Sequence, residues 1–235
     1  MGLLRQMLAD SPVFLLALGE SAGSTAKDVS GNGHDGTYSG ATLAGASAVP
    51  GDLSPVFAAG SPTYVNLGTV AALHGISALT FEAWIIPTSR NGSPYIEMVM
   101  GVEDSVSNAG LLRLGYDGLS ANTGKPEFAL VTSATTPNAA EAKGSSVLNL
   151  NERHHMVGRY TGSRLQLIVD TVTAADIALT GTSQLNAELD IGRSPTQGRG
   201  WNGTLGFCAA YASALSDAAI ARHYAVGLRE AVVIG

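Results

Sequence analysis

The sequence predicts an all-β protein, a sandwich or barrel of antiparallel strands. Runs of alternating apolar and polar residues recur about every 8–12 residues, with turn-forming residues between them. The 29 glycines among 235 residues also favour a chain with many turns. Apolar residues make up 45% of the chain and charged residues only 14%, which predicts a large core and argues against disorder.

The clearest single strand covers residues 77–87, with the sequence SALTFEAWIIP. Successive side chains of a strand point to opposite sides of the sheet, so Leu79, Phe81 and Ile85 share one wholly apolar face. The opposite face carries Glu82 and Trp84 and is predicted to be half covered. Such a strand belongs in the middle of a sheet, with its apolar face against a second sheet.

The other elements follow the same reasoning along the chain. A short helix is predicted for residues 3–9 and a helix for residues 213–226, the second with Ser216 as its N-cap. Residues 43–55 and 135–146 are predicted to be loops. Strands are predicted at residues 13–18, 56–57, 64–67, 95–102, 110–116, 127–132, 154–160, 164–171, 189–192 and 205–211.

Composition and charge exclude several classes of function. The formal net charge is −6 and no basic run is present, so neither a nucleic acid nor an anionic membrane is an expected partner. No stretch approaches the ~20 apolar residues of a membrane helix, so no membrane insertion is expected. Residues 13–18 are too short for the apolar region of a signal peptide, so no secretion signal is predicted. Cys208 is the only cysteine, which excludes an intrachain disulfide and predicts a buried, inert thiol.

Four ordered segments resemble the LamG-like jelly-roll domain of the concanavalin A-like lectin/glucanase superfamily. The segments are residues 10–20, residues 28–38 (DVSGNGHDGTY), residues 79–85 (LTFEAWI), and the set formed by 154–157, 165–170, 203–206 and 214–216. The resemblance implies one jelly-roll domain over residues 1–235, with a core at 10–226 and two face-to-face antiparallel sheets. Leu15 and Leu16 depart from the family pattern, where an aromatic and a polar residue often stand.

The resemblance also directs attention to catalytic carboxylates, because glucanases of the superfamily carry them at alternate positions of one strand. Residues 188–193 (ELDIGR) are the nearest match, with Glu188 and Asp190 correctly spaced. Gly192 and Arg193 stand where a second glutamate is needed, so retaining hydrolysis would have no proton donor. The sequence therefore predicts that the chain is not an enzyme.

Two metal sites come into question. His154 and His155 are adjacent in a strand and point to opposite faces, so they are not expected to share an ion. Asp28, Asn32 and Asp35 supply hard oxygen atoms in a glycine-rich turn, which suits calcium, and similar jelly rolls hold a structural calcium near this segment. The alternative is that these side chains accept backbone N–H bonds and lock the turn.

A carbohydrate site is the natural hypothesis for a lectin-like fold. Trp201 is the best candidate for stacking on a sugar, since glycines surround it and Arg199 and Asn202 flank it. The alternative is that this segment is a glycine-rich turn before the last long strand, with the tryptophan tucked against the sheet edge.

Bacteriophage virion proteins carry LamG-like modules and act outside the cell without a secretion signal. The resemblance therefore leads us to expect a non-enzymatic bacteriophage virion protein, a capsid decoration or minor tail protein. Its expected location is the virion, and its expected partners are other virion proteins, copies of itself and host-surface glycans. Residues 1–9 and 227–235 are candidate assembly arms, because the apolar residues 232–234 favour pairing with another strand edge. The alternative function is a secreted bacterial carbohydrate-binding module.

Overall fold

The computed structural model describes residues 2–59, 63–90, 96–103, 111–117, 124–136, 138–195 and 199–229. This part of the chain forms helices α1 (Leu3–Ala9) and α2 (Asp217–Gly227) and one short 3₁₀ turn, Ala71–Leu73. It also forms sixteen strands: β1 (Phe14–Leu16), β2 (Thr25–Ala26), β3 (Gly36–Ser39), β4 (Thr42–Ala46), β5 (Leu53–Phe57), β6 (Tyr64–Thr69), β7 (Leu79–Pro87), β8 (Glu97–Glu103), β9 (Leu111–Asp117), β10 (Lys125–Leu130), β11 (Ala140–Lys143), β12 (His154–Tyr160), β13 (Arg164–Val169), β14 (Val172–Ala178), β15 (Glu188–Ile191) and β16 (Gly203–Tyr211).

The strands form two antiparallel sheets that pack as a sandwich, which confirms the predicted fold class. The first sheet has the order β14-β13-β12-β7-β16-β5-β4, and β1 also pairs with β16. The second sheet has the order β11-β10-β9-β8-β15-β6-β3-β2. Strands adjacent in a sheet are often distant in sequence, as β8 and β15 are.

Strand β7 lies in the middle of the first sheet, between β12 and β16, as predicted. Leu79, Phe81 and Ile85 point into the core between the sheets and are fully buried. The two sheets approach closely where Gly158 of β12 faces Phe128 of β10. A Cβ at position 158 would lie 2.3–2.6 Å from the Phe128 ring, so only glycine fits there.

Both helices cover the outer face of the first sheet. Leu3 and Met7 of α1 and Ile220 of α2 pack with Trp84 and Phe207 from β7 and β16. The predicted half-covered face of β7 is therefore completely covered at Trp84, which is 0% exposed. Such burial of apolar surface is what holds two short helices on a sheet.

The bounds of both helices follow their local sequence. Helix α1 covers Leu3–Ala9, as predicted. Helix α2 begins at Asp217 because Ser216 adopts the extended cap conformation and its Oγ accepts a hydrogen bond from Ala219 N at 3.2 Å. Ser216 is thus confirmed as the N-cap.

Two predicted loops contain strands. Residues 43–55 include most of β4 and the start of β5, which pair with each other, and residues 135–146 include β11, which pairs with β10. The small and Ala-rich sequences of these segments have low intrinsic strand propensity, and the backbone ladder with a neighbouring strand overrides it. The first predicted strand, residues 13–18, is in turn shortened to β1, since Leu18 has a positive φ of 61°.

Candidate functional site

The outer face of the second sheet carries a connected set of paired charges. On β9, Leu112, Leu114 and Tyr116 point into the core, so Arg113 and Asp117 point outward. The antiparallel register places outward side chains of neighbouring strands beside them. We call this surface the polar face; its members are Tyr64, Asn66, Glu103, Arg113, Asp117, Glu127, Glu141, Lys143, Glu188, Asp190, Arg193 and, from the loop before β16, Arg199.

One half of the polar face is an ionic network across β9, β10 and β11. Arg113 Nη2 lies 2.8 Å from Glu127 Oε1 and 2.6 Å from Glu141 Oε1, and Arg113 Nε donates to Glu127 Oε1 at 3.0 Å. Lys143 Nζ lies 2.9 Å from both Asp117 Oδ2 and Glu141 Oε2, and 3.8 Å from Glu127 Oε2. Three carboxylates thus converge on one ammonium group.

Burial sets the electrostatics of this network. Glu127 is only 1% exposed, and burial raises the pKa of its carboxyl although Arg113 opposes that effect. The pKa of Lys143 is raised, because its neighbouring carboxylates outweigh the opposite effect of burial. Glu127 and Lys143 are also each held by an ion pair with a residue of β9.

The other half of the polar face, the β6–β15 cluster, consists of Tyr64, Asn66, Glu188, Asp190 and Arg193. Asp190 is 0% exposed; its Oδ2 accepts from Arg193 Nε at 2.7 Å and its Oδ1 from Asn66 Nδ2 at 2.7 Å. The Arg193 guanidinium carbon lies 3.2 Å from the centre of the Tyr64 ring, and Asn66 Nδ2 lies 3.5 Å from Glu188 Oε2. Burial raises the pKa of Asp190, although the hydrogen bonds with Arg193 and Asn66 counteract it.

The three predicted sugar-binding residues do not form one exposed site. Trp201 is 0% exposed and packs in the core, with its ring centre 5.2 Å from that of Tyr116. The prediction of an exposed stacking platform at Trp201 is therefore wrong, because the side chain fills space between the sheets. Arg199 does reach the polar face, where Nη1 lies 2.7 Å from Glu103 Oε1. Asn202 Oδ1 instead accepts from Ala59 N at 2.8 Å.

The predicted calcium residues lie in one turn and are engaged by protein groups. Asp28 Oδ1 accepts from Leu15 N at 3.0 Å and Ser30 N at 2.9 Å, and its Oδ2 accepts from Ser30 Oγ and His34 N, both at 2.9 Å. Burial alone would raise the pKa of Asp28, but these bonds lower it. The Asp28 carboxylate therefore offers no oxygen free of a protein donor.

The other two members of this turn are likewise engaged. Asp35 accepts from Lys27 Nζ at 2.7 Å and from Asp28 N at 2.9 Å. Asn32 donates its amide to the carbonyl groups of Pro12 and Val13 at 2.9 and 3.0 Å. As they stand, the three side chains lock the turn onto β1 and do not fit a calcium shell, so calcium at this place stays a sequence prediction.

The histidine pair has two separate environments, as its strand position requires. His154 Nδ1 lies 2.7 Å from Asp170 Oδ2, whereas His155 Nε2 lies 2.9 Å from Glu82 Oε2 on the other side of the sheet. Within the described ranges, no three His, Cys, Asp or Glu side chains are placed to hold one metal ion. No helix among the described residues is long and apolar enough to cross a membrane.

Sequence reasoning missed most of the polar face because its members come together across strands. A search for carboxylates along one strand finds Glu188 and Asp190 but not the approach of Asp117 and Glu127 to Lys143. A signal was nevertheless present: charged residues alternate with apolar ones at Arg113–Asp117 and at Lys125–Glu127, in segments that contain predicted strands.

Comparisons with known proteins agree with this architecture. Residues 59–221 match the family model described as the concanavalin A-like lectin/glucanases superfamily. No curated protein sequence matches the chain significantly.

Solved structures show the same fold at low sequence identity. Domain 4 of AbnA, a GH43 extracellular arabinanase from Geobacillus stearothermophilus, solved in complex with arabinotriose, superimposes with a TM-score of 0.70 at 12% identity, over 91% of this chain and 98% of that chain. The binding domain of Paraclostridial Mosquitocidal Protein 1 gives 0.68 at 13% identity, over 92% and 52%. Trypanosoma rangeli sialidase gives a TM-score of 0.62 at 16% identity, over 91% of this chain and 32% of that chain. The chain therefore spans about half the length of the mosquitocidal binding-domain structure and about a third of the sialidase.

Proposed function

The chain belongs to the concanavalin A-like lectin/glucanase superfamily, and we propose that it is a non-enzymatic carbohydrate-binding domain that binds its glycan on the polar face. A fold alone does not define a function, so the proposal depends on the chemistry of that surface. Sugar hydroxyl groups both donate and accept hydrogen bonds, and they are complemented by fixed carboxylate, amide and guanidinium groups.

The observation that carries the proposal is the buried, mutually fixed state of the charged groups. Glu127 is 1% exposed and Asp190 is 0% exposed, although both lie on the outer face of a sheet. Buried ion pairs contribute little net stability compared with apolar side chains of the same size, so folding alone gives little reason for them. Binding explains them better, because the buried carboxylates hold the partly exposed Arg193 and Lys143 side chains, and side chains held in this way lose little freedom when a ligand arrives.

A structural neighbour supports the ligand class. The arabinanase domain that shares the fold over nearly its whole length was solved with arabinotriose. We therefore take oligosaccharides as the first ligands to test, with arabinotriose among them.

The biological setting expected from the sequence stays a prediction. A phage virion role, assembly with copies of itself and the alternative of a secreted module are compatible with a carbohydrate-binding domain. Of the two predicted assembly arms, α1 packs on the first sheet, whereas residues 230–235 lie outside the described residues. Light scattering on the purified protein and mass spectrometry of virions would test assembly and location.

The proposal is tested by a glycan array followed by calorimetry on the strongest oligosaccharide. Glu141→Gln and Lys143→Met change partly exposed members of the polar face, and each is expected to weaken binding about tenfold through lost charged hydrogen bonds. Asp176→Asn, in an exposed ion pair on β14, is the matched control and should leave affinity unchanged. Absence of binding to every glycan, or reducing-sugar release from a bound oligosaccharide, would refute a non-enzymatic binding function.

A further inference from the structure

The β6–β15 cluster contains hydrogen-bonding groups that no other residue in the described part of the chain engages. Arg193 Nε donates a hydrogen bond to Asp190, whereas the two terminal nitrogens of Arg193 have no hydrogen-bond partner among the described residues. The Tyr64 hydroxyl likewise has no described partner, and Glu188 is exposed. Within the described ranges, the cluster thus presents unpaired donors and an exposed acceptor around one buried carboxylate.

The free donors are held rigidly. The Arg193 side chain is 23% exposed, with Asp190 bound at one edge of the guanidinium and the Tyr64 ring against its face. Gly192, just before it, has a φ of 87°, which sets the turn that brings Arg193 back over Asp190. A guanidinium held in this way presents its remaining N–H groups in a fixed fork.

We infer that the β6–β15 cluster is the primary sugar subsite and that it binds two adjacent hydroxyl groups of a neutral sugar. This inference rests on the proposed function and adds the subsite and the ligand class. The Arg193 fork donates to the hydroxyl oxygens, and the Glu188 carboxylate accepts a hydroxyl hydrogen. Asn66 links the two sides, since its Nδ2 contacts both Asp190 and Glu188.

The charge of the cluster selects against acidic sugars. Asp190 and Glu188 carry two negative charges against the single positive charge of Arg193, in a chain with a formal net charge of −6. A uronic acid carboxylate would therefore meet like charge at this place, which costs affinity even beside an arginine.

Calorimetry on two trisaccharides of different charge tests the inference. The probes are arabinotriose, which is neutral, and trigalacturonic acid, which is acidic. Wild-type protein should bind the neutral probe more tightly. Arg193→Lys keeps the charge and removes the forked guanidinium, so it should weaken binding of arabinotriose at least about tenfold. Arg164→Lys is the matched control, because Arg164 Nε also lies 2.8 Å from an aspartate, Asp176, on an exposed hairpin, and it should change nothing.

Substitutions at Glu188 separate hydrogen bonding from charge. Glu188→Ala removes the acceptor and should weaken binding of the neutral trisaccharide several-fold. Glu188→Gln keeps an acceptor oxygen, so it should bind the neutral trisaccharide as before and the acidic one more tightly. Tyr64→Phe is the second test variant, for use if Arg193→Lys lowers the thermal midpoint of unfolding. It removes only a hydroxyl group, so it should weaken binding of the neutral sugar while the fold stays intact.

The outcomes distinguish this inference from the broader proposal. If neither probe nor any arrayed glycan binds, the proposed function fails. If glycans bind and respond to Lys143→Met but not to changes at Arg193, Glu188 or Tyr64, only the subsite assignment is overturned. Preference of the wild-type protein for the acidic probe would overturn the ligand class.

Discussion

Nδ1 of His223, on α2, lies 3.0 Å from Oε1 and 3.1 Å from Oε2 of Glu82, on β7. The other ring nitrogen of His223, Nε2, lies 3.0 Å from Oδ2 of Asp10, the residue that follows α1. Since both ring nitrogens face carboxylates, both must donate, and the ring is an imidazolium. Glu82 also accepts from His155 Nε2 at 2.9 Å and from the Tyr211 hydroxyl. Through His223, the Glu82 and Asp10 carboxylates therefore link α2 both to the centre of the first sheet and to the end of α1.

Glu82→Gln is expected to destabilise the protein strongly. The substitution keeps the volume but removes the charge and replaces an acceptor oxygen with an NH₂ group, which would face the N–H donors of His155 and His223. Breaking a buried charged pair costs about 3–5 kcal/mol. Urea unfolding should report this loss, with Asp176→Asn as a control that changes stability by less than about 1 kcal/mol. A loss below about 1 kcal/mol for Glu82→Gln would contradict the role assigned to this network.

The same network predicts a maximum of stability in mildly acidic solution. Burial would raise the pKa of Glu82, but the hydrogen bonds and charges of His155 and His223 lower it to about 2. Its contribution is thus complete above the ordinary glutamate pKa and is lost as the pH falls toward 2. The pKa of His223 is raised, because its bonds with Glu82 and Asp10 outweigh the opposite effect of burial. Its contribution is complete below the ordinary histidine pKa and is lost as the pH rises through the raised value.

The free energy of unfolding, measured in urea from pH 3 to pH 9, should therefore peak between about pH 4.5 and 6.5. His223→Gln isolates the alkaline side of that profile, since it removes the titrating ring and leaves Glu82 with the donors of His155 and Tyr211. The variant should be less stable at its maximum and should lose less stability above pH 7 than the wild type. An identical alkaline slope in both proteins would show that His223 does not control it.

The sequence predicted the elements whose own pattern determines them. Strand β7 alternates cleanly, and the N-cap Ser216 precedes a run of helix formers, so both were placed correctly. Strand β11 has the sequence AEAK, which favours no strand by itself. It forms because its backbone pairs with β10, and it is the edge strand of the second sheet.

Long-range pairing limits prediction of the candidate site in the same way. Glu82 and His223 are 141 residues apart, and Asn66 and Asp190 are 124 apart, so no local pattern connects either pair. Glycines around Trp201 suggested exposure, but glycine also permits close packing, and at Gly200 the backbone of Ala59 lies within 2.7 Å of where a Cβ would stand.

Asp28→Asn tests whether hydrogen bonds or calcium hold the turn at residues 28–36. An asparagine has one acceptor oxygen, so it cannot serve Leu15 N and Ser30 N on one side and His34 N on the other. We expect a loss of about 1–3 kcal/mol in urea unfolding, equal in the presence of EDTA and of calcium. A wild-type thermal midpoint that rises with calcium, and an Asp28→Asn midpoint that does not, would instead establish the calcium site that the sequence suggested.

Substitutions of Trp201 separate its role in the core from sugar binding. The ring is fully buried against Tyr116, and its Nε1 has no hydrogen-bond partner among the described residues, so Trp201→Phe loses packing but no hydrogen bond. Trp201→Phe should cost about 1–2 kcal/mol in urea unfolding and Trp201→Ala about 3–5 kcal/mol, because the larger truncation leaves a larger cavity between the sheets. The affinity of Trp201→Phe for the glycan identified on the array should stay at the wild-type value, since the ring cannot touch a ligand on the polar face. If Trp201→Phe kept its stability but lost glycan binding, Trp201 would have a direct role in binding.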